Sequence, residues 1–325
     1  MNTRRKLLVA LCASALAGPM TSLAQQPARI PRIGIIEFGA PPESGFARTY
    51  LAALKQLGFS EPATLHVERR YAQGDASRFA ELIHDLTTKK IDLVFTVGND
   101  IAQVAKQVAP ALSVVTAGSE DPVMSGLIAD YRRPGGNVTG VTYLSPQLAA
   151  KRLELLKEIV PGLTRVAVLW DPTHFDTYYR DMETVARALG VSLQLFETRS
   201  ADEIDRVFAG IQKSGAEGVF VTPSRMLNLQ ARRIGQLALG AKLPLIAAYS
   251  NFTEAGGLIA YGAVIGDLLV RAAAQTEKIL KGTKTGDLPF ERAATFELVI
   301  NMKTAKALGI KIPSSILVRA DRMIE

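Results

Sequence analysis

Hydrophobic and polar positions follow two alternating periods along this chain, from residue 31 almost to its end. Short apolar runs rich in β-branched residues, such as Ile33–Phe38 and Leu93–Val97, predict buried strands of a parallel sheet. Between these runs, apolar residues recur at helical spacing, as in Ala47–Leu57 and Ser77–Lys90. Gly58 follows the first helical segment in the position that a C-cap glycine favours. The alternation of strands and helices predicts an α/β fold.

The predicted elements form two series of similar plan. The strands of the first series are Ile33–Phe38, Thr64–Arg69, Leu93–Val97 and Ser113–Ala117, and those of the second are Val166–Trp170, Leu193–Glu197, Gly218–Thr222 and Pro244–Ala248, with helices at Tyr178–Leu189 and Ala201–Gln212. Thr64–Arg69 alternates in polarity and is predicted as an edge strand. The segments that begin at Arg32, Asp92 and Leu112 align with those at Arg165, Glu217 and Leu243, which indicates two lobes of like topology. The alternative is that any two doubly wound sheets look alike in their strands.

Three further strands are predicted where the chain passes between the lobes. They are Val141–Tyr143, Leu258–Tyr261 and Phe296–Ile300, with helices Pro146–Ile159 and Asp267–Leu280 nearby. This plan predicts two Rossmann-like lobes with parallel sheets, joined by three hinge strands. The N-terminal lobe is expected at 29–144 plus 262–289, and the C-terminal lobe at 145–261 plus 290–325. Ligands of such folds bind at the carboxyl ends of the strands, which here border the cleft between the lobes.

Residues 1–24 read as a secretory signal peptide. Arg4, Arg5 and Lys6 precede an apolar run, and Ser22 to Ala24 supplies small residues for cleavage. We therefore expect a periplasmic protein that is exported and cleaved, through either the Sec or the twin-arginine route. The formal net charge of +7 includes these three basic residues, so the remaining excess is mild and favours no nucleic-acid partner. Cys12 is the only cysteine, so no disulfide is expected.

No catalytic motif stands out in the sequence. It has no G-x-S-x-G elbow, no phosphate-binding loop and no H-E-x-x-H zinc motif. The histidines His66, His84 and His174 are far apart, and zinc sites need ligands that converge. We therefore expect neither an enzyme nor a cofactor or metal.

Polar and aromatic side chains follow the predicted strands and are candidates for ligand binding. Helix N-termini in these loops suit a carboxylate, whereas Glu37, Asp121 or Asp171 could hold an ammonium group. The same residue types are common helix caps, which is the alternative for each of them. The candidates are Glu37, Phe38, Gly98, Asn99, Asp100, Ser119, Asp121, Trp170, Asp171, Thr173, Thr222, Ser224, Tyr249, Ser250 and Tyr261.

Several blocks of the sequence resemble a known family, the ABC-transporter substrate-binding proteins of the tryptophan and tyrosine uptake type. The blocks include Asp121–Val123, Arg133–Thr142, Lys151–Glu158, Val168–Pro172, Glu254–Gly257, Lys278–Gly282 and Phe296–Asn301. The resemblance covers nearly all of the chain after residue 24. It implies a type I periplasmic-binding fold that traps a small ligand between its lobes. The residues after the first strand, Glu37 to Pro42, match no familiar ligand signature.

The function that the resemblance implies is capture of a small solute, an aromatic or other amino acid, for an ABC importer. Its partners would be the ligand and an ABC permease with its ATPase at the inner membrane, and the protein would act as a monomer. One alternative is a sensory module that presents its ligand-bound form to a membrane receptor. Another is a secreted enzyme that uses cleft carboxylates as acid and base, which would require a strongly shifted pKa.

Overall fold

The computed structural model describes residues 29–143, 145–172 and 178–325, of which Pro31–Glu325 belong to one compact unit. Its strands are β1 Arg32–Glu37, β2 His66–Tyr71, β3 Leu93–Val97, β4 Ser113–Gly118, β5 Val138–Thr142, β6 Arg165–Trp170, β7 Ser192–Glu197, β8 Gly218–Val221, β9 Leu245–Ala247, β10 Ile259–Ala263, β11 Glu291–Arg292, β12 Phe296–Asn301 and β13 Arg322–Ile324. Its α-helices are α1 Gly45–Gln56, α2 Phe79–Thr88, α3 Asn99–Val108, α4 Ser145–Ile159, α5 Tyr178–Ala188, α6 Ile204–Lys213, α7 Arg225–Leu229, α8 Ala231–Gly240, α9 Asn251–Glu254, α10 Ile265–Leu280, α11 Met302–Leu308 and α12 Ser314–Leu317. The α/β fold with two largely parallel sheets is therefore confirmed.

The strands form two sheets. The first has the order β11-β5-β4-β3-β1-β2 and is parallel throughout, whereas the second has the order β13-β12-β10-β9-β8-β6-β7. In the second sheet only the β10–β12 pair is antiparallel. We call the six-stranded sheet with its helices the first lobe, and the seven-stranded sheet with its helices the second lobe.

The central strands are buried on both faces, which accounts for their continuous apolar runs. Ile33 and Ile35 of β1 pack on one face of the first sheet with Tyr50 of α1, while Ile36 packs on the other face with Phe79 of α2. The helices bury only one apolar stripe against the sheets, so each exposes its polar residues to water. In this way two apolar layers cover each sheet and leave its carboxyl edge to the loops.

Most predicted elements lie within two residues of the observed bounds. The edge strand, predicted at Thr64–Arg69, is displaced by two residues to His66–Tyr71. Strand β2 begins at His66 because the Thr64 side chain closes the preceding loop: its hydroxyl accepts from Ser60 N at 2.7 Å and donates to Gly58 O at 2.7 Å. As expected, β2 is an edge strand that pairs with β1 only.

The internal alignment of the two halves corresponds to equivalent positions in the two sheets. Strands β1, β3 and β4 stand in the first sheet in the order in which β6, β8 and β9 stand in the second. The aligned carboxylates even make the same contact, since Asp92 Oδ2 accepts from Arg32 N at 2.7 Å and Glu217 Oε2 accepts from Arg165 N at 3.1 Å. The repeat therefore includes the polar bonds that begin the strands.

The chain passes between the sheets three times: after Thr142, after Ala263, and between Arg292 and Phe296. Each passage adjoins one of the three strands predicted to join the lobes. Strand β10 extends past residue 261, and β11 lies beyond residue 289 in the first sheet, so the crossings fall slightly C-terminal to the predicted limits. The domain limits themselves, 29–144 plus 262–289 and 145–261 plus 290–325, stay a prediction. The predicted signal peptide lies outside the described residues.

Candidate functional site

A cavity lies at the carboxyl edges of the two sheets, where residues of both lobes meet. Its first-lobe wall comes from the end of β1 and the loop into α1, and its second-lobe wall comes from α7 and the loop after β9. The lining residues are Ile35, Ile36, Glu37, Phe38, Gly39, Ser44, Phe46, Ala47, Phe95, Val97, Tyr143, Ser224, Arg225, Asn228, Leu229 and Tyr249. The wall is mostly apolar and aromatic, with a small number of polar groups, as is usual for small-molecule sites.

Aromatic rings from both lobes meet around Tyr249. Phe46 of the first lobe stands edge-on to Tyr249 of the second, with ring centroids 6.4 Å apart, and Tyr143 does the same at 6.1 Å. Edge-to-face geometry of this kind is a favoured packing of aromatic side chains. Burial raises the pKa of the Tyr249 hydroxyl to about 12, although its hydrogen bond with Tyr143 and the nearby positive charge of Arg152 oppose that shift. Tyr249 is therefore neutral at any ordinary pH.

Glu37, at the end of β1, is the carboxylate in the cavity wall. Its Oε2 accepts a hydrogen bond from Ser44 N at 2.9 Å, which also holds the loop that leads to α1. Its Oε1 is buried and has no hydrogen-bond partner within the described part of the chain. A buried carboxylate oxygen without a donor is costly, so this atom is a natural acceptor for a ligand N–H group.

Arg225, the first residue of α7, is the cationic group of the wall and bonds across the cleft. Its Nη1 and Nη2 donate to Asp100 Oδ1 at 2.6 Å and Oδ2 at 2.5 Å. Burial alone would lower the pKa of Arg225, but the charge of Asp100 and the hydrogen bonds to it raise that pKa above its usual value. The Nε atom is buried and has no hydrogen-bond partner among residues 29–143, 145–172 and 178–325. The wall thus holds one acceptor and one donor that are unsatisfied.

Ser224 and Thr222, which follow β8, are bonded within the second lobe. Ser224 Oγ donates to Asp171 Oδ2 at 2.5 Å and accepts from Leu227 N at 3.3 Å, so that it caps α7. Thr222 Oγ1 donates to Leu169 O at 3.2 Å. These side chains therefore have a structural role at the strand end, whether or not a ligand reaches them.

Asn99 lies at the equivalent strand end of the first lobe, where α3 begins. It is buried, and neither its Nδ2 nor its Oδ1 has a hydrogen-bond partner among the described residues. The neighbouring Gly98 carbonyl accepts from Thr116 Oγ1 at 3.2 Å. Ser119, at the end of β4, is also buried. At this edge of the first lobe the Asn99 amide accordingly has unused hydrogen-bonding capacity.

The remaining predicted residues that the structure describes lie outside the cavity wall. Asp121 Oδ1 accepts from Val123 N at 2.9 Å and so closes a turn, and Trp170 is half-buried at the end of β6. The carbonyl of Ser250 accepts from Thr253 Oγ1 at the start of α9, while Tyr261 lies in β10 with its ring 6.5 Å from that of Phe296. Thr173 lies outside the described residues. The cavity wall thus brings together Glu37, Phe38, Ser224 and Tyr249.

Sequence reasoning did not single out several residues of the wall. Arg225 could have been found, because it directly follows Ser224 at a strand end, where an arginine is a natural partner for carboxylates. Phe46 and Leu229 could not, because their helical segments read as ordinary amphipathic helices and only the tertiary fold turns these side chains toward the cleft.

Arg152 of α4 is the largest fully buried side chain of the described residues. Its Nε donates to Tyr261 O at 2.7 Å, and its charge acts on the Tyr249 hydroxyl. It therefore ties α4 to the crossing strand β10, close to the aromatic end of the cavity. In the described part of the chain no group of three or more His, Cys, Asp or Glu side chains is arranged to hold a metal ion. Over the same residues, no helix combines the length and apolarity needed to cross a bilayer.

Three known proteins are similar to this chain, one compared by sequence and two by structure. The tyrosine-binding protein of Clostridioides difficile (strain R20291) is 24% identical over 284 residues, which cover 86% of this chain and 81% of that protein. A structure from Streptococcus pneumoniae, described as an ABC domain in complex with L-Trp, is 26% identical with a TM-score of 0.83, and the match covers 90% of this chain and 99% of that one. A conserved domain protein from Vibrio cholerae shares the fold with a TM-score of 0.83 at 23% identity, over 91% of this chain and 100% of that one.

The sequence model of one protein family matches most of the chain. That family is described as ABC transporter substrate binding protein, and the match extends over residues 45–324. These residues include both sheets apart from β1, and the whole cavity wall apart from its residues between Ile35 and Ser44. On this evidence the chain belongs to the family of ABC transporter substrate-binding proteins.

Proposed function

We propose that this protein is a periplasmic solute-binding protein that captures an aromatic amino acid between its two lobes and delivers it to an ABC permease and its ATPase. The family supports the role in solute capture, and relatives described as binding tyrosine and L-Trp support the ligand class. The export that this role requires rests on the predicted signal peptide of residues 1–24.

One observation carries the choice of ligand: the cavity wall holds an unsatisfied acceptor and an unsatisfied donor beside aromatic rings. Glu37 Oε1 is complementary to an α-ammonium group, and Arg225 Nε–H is complementary to an α-carboxylate. The rings of Phe46, Tyr143 and Tyr249 supply an apolar surface on which an aromatic side chain can pack. An aromatic amino acid satisfies all three features, whereas a sugar would leave both charged groups unmatched.

The test is calorimetric titration with L-tryptophan and with two analogues that each lack one charged group. Tryptamine lacks the carboxylate, and indole-3-propionate lacks the ammonium group. We expect L-tryptophan to bind more tightly than either analogue, because a hydrogen bond between charged groups contributes about 1.5–3 kcal/mol, or roughly tenfold to a hundredfold in affinity.

A substitution at Glu37 makes this test specific. Glu37→Gln should weaken binding of L-tryptophan and tryptamine about tenfold or more, and should leave indole-3-propionate unaffected. Glu68→Gln is the matched control, since Glu68 is a half-buried carboxylate of the same sheet outside the cavity wall. Equal loss for all three compounds, or no binding of any of them, would contradict the proposed ligand class.

A further inference from the structure

Arg225 belongs to the second lobe, but the partners of its guanidinium lie in the first lobe. Besides the two bonds to Asp100, Nη1 donates to Val97 O at 3.3 Å. The guanidinium carbon lies 5.0 Å from the ring centroid of Phe38 and 5.8 Å from that of Phe79. Planar stacking and a bidentate carboxylate are the two contacts that suit arginine best.

Gly98 also lies against the Arg225 side chain. Its φ of +121° lies in a region that glycine adopts readily and other residues rarely do. A Cβ atom built on it would overlap with Arg225 Nη1. We call Phe38, Phe79, Val97, Gly98 and Asp100 the arginine socket. The socket lies entirely in the first lobe and is shaped for a guanidinium that arrives from the second.

We infer that Arg225 and the arginine socket form a latch that holds the two lobes closed in the absence of ligand. When the lobes separate, Arg225 must leave both rings, the carbonyl and the carboxylate at once. When they meet, the planar fork of the arginine finds a preformed partner, so little ordering of the socket is required. The latch shifts the population of the empty protein toward the closed form.

The latch also bears on ligand affinity, because a binding-competent form that is already populated needs less of the ligand's binding energy for closure. Loss of the latch should therefore weaken binding of L-tryptophan even where the substituted residue does not line the cavity. Asp100 is such a residue, since it is absent from the cavity wall. This consequence rests on the proposed function, whereas the effect on the empty protein does not.

The test measures the ligand-free protein by small-angle X-ray scattering and by the distance between spin labels on the two lobes. Labels are attached to Met124→Cys and Arg232→Cys in a Cys12→Ser background, because Cys12 is the only natural cysteine and both positions are exposed. Asp100→Asn and Arg225→Gln should each increase the radius of gyration and shift the label distances to longer values. The exchanged pair, Asp100→Arg with Arg225→Asp, should restore part of the closed population.

The chain offers a matched control in Arg233 and Asp205. They also form a bidentate ion pair, through Nε at 3.0 Å and Nη2 at 2.5 Å, but both residues lie in the second lobe. Arg233→Gln and Asp205→Asn should change neither the radius of gyration nor the label distances. Far-ultraviolet circular dichroism and urea unfolding of each variant separate opening from partial unfolding.

The decisive variant is Asp100→Asn, which keeps the shape of a partly exposed side chain. Wild-type dimensions for folded Asp100→Asn in the absence of ligand would overturn the latch, even if Arg225→Gln expanded. Expansion of both variants with an unchanged control supports it. Failure of L-tryptophan to bind the wild type would contradict the proposed ligand and leave the ligand-free result intact.

Discussion

Strands β3 and β8 occupy equivalent places in the two sheets, but the chain leaves them in different ways. After β3 the helix α3 begins at once, with Gly98 as a cap that offers no side-chain bond and with the amide of Asn99 buried and unsatisfied among the described residues. After β8 a longer turn ends in Ser224, which caps α7 and also bonds Asp171. The amide of Asn99 after β3 keeps hydrogen-bonding capacity in reserve, whereas the hydroxyl of Ser224 after β8 stabilises its own lobe.

The difference indicates a division of labour between the lobes. The first lobe presents groups that a ligand or an incoming side chain can satisfy: Asp100 accepts hydrogen bonds from Arg225, and Gly98 leaves space for the guanidinium. At the end of β8 in the second lobe, the hydroxyls of Thr222 and Ser224 are already bonded, and from this strand end Arg225 reaches across. Four substitutions test this comparison.

The largest effect is expected for Gly98→Ala. The new Cβ would strain the backbone and displace Arg225, so we expect a loss of about 3 kcal/mol in the free energy of unfolding. Gly58→Ala is the control, because Gly58 also has a positive φ, +92°, but has no neighbour within contact of an added Cβ. It should lose only about 1 kcal/mol in urea unfolding. Equal losses for both variants would show that contact with Arg225 adds nothing to the cost of a Cβ atom at position 98.

Ser224→Ala should reduce stability by about 1–2 kcal/mol, because it removes the cap of α7 and the bond to Asp171. Urea unfolding measures this loss of stability. Calorimetric titration should show nearly unchanged affinity for L-tryptophan. A large loss of affinity with unchanged stability would mean that Ser224 serves the ligand instead of the fold.

Asn99→Ala should show the reverse pattern. Its amide has no partner among the described residues, so truncation should leave the free energy of unfolding unchanged or raise it by about 1 kcal/mol. Affinity for L-tryptophan should fall about tenfold if the ligand or a water held with it uses this amide. Thr222→Val, which removes a bonded hydroxyl from the other lobe, is the control. A destabilised Asn99→Ala variant with normal affinity would contradict the comparison.

The smallest effect concerns the strand starts, where the lobes are alike. Hydrogen bonds from the Thr164 N–H and hydroxyl and from the Arg165 N–H, together with the charge of Arg165, lower the pKa of Glu217. They outweigh desolvation, which raises it. A carboxyl whose pKa is lowered in the folded state stabilises the protein at a pH above its unfolded-state pKa, near 4.5. This contribution disappears as the pH falls through the folded-state pKa. Glu217→Gln should therefore lower the melting temperature slightly at pH 7, and wild type and variant should converge in acid. A difference that persisted at low pH would assign the effect to the lost geometry of the bonds.

The sequence predicted the fold well because its signals are local or repeated. The apolar runs of β1 and β6 and the helical spacing of α1 and α10 depend on which residues are buried, and that pattern is visible in the chain itself. The strand ends that carry polar residues could be predicted for the same reason, and Glu37, Phe38, Ser224 and Tyr249 indeed meet in one wall.

The sequence by itself determined the class of fold, the twofold repeat and the candidate strand-end residues, since periodic burial fixes strands and helices and the carboxyl ends of parallel strands meet at one edge. Only the tertiary structure decided how those residues are used. It bonds Ser224 to Asp171, leaves Glu37 Oε1 unsatisfied among the described residues, and brings Arg225 to Asp100, a pair separated by 125 positions. Such choices depend on the distance and orientation of side chains from different lobes. Those quantities exist only after the chain has folded.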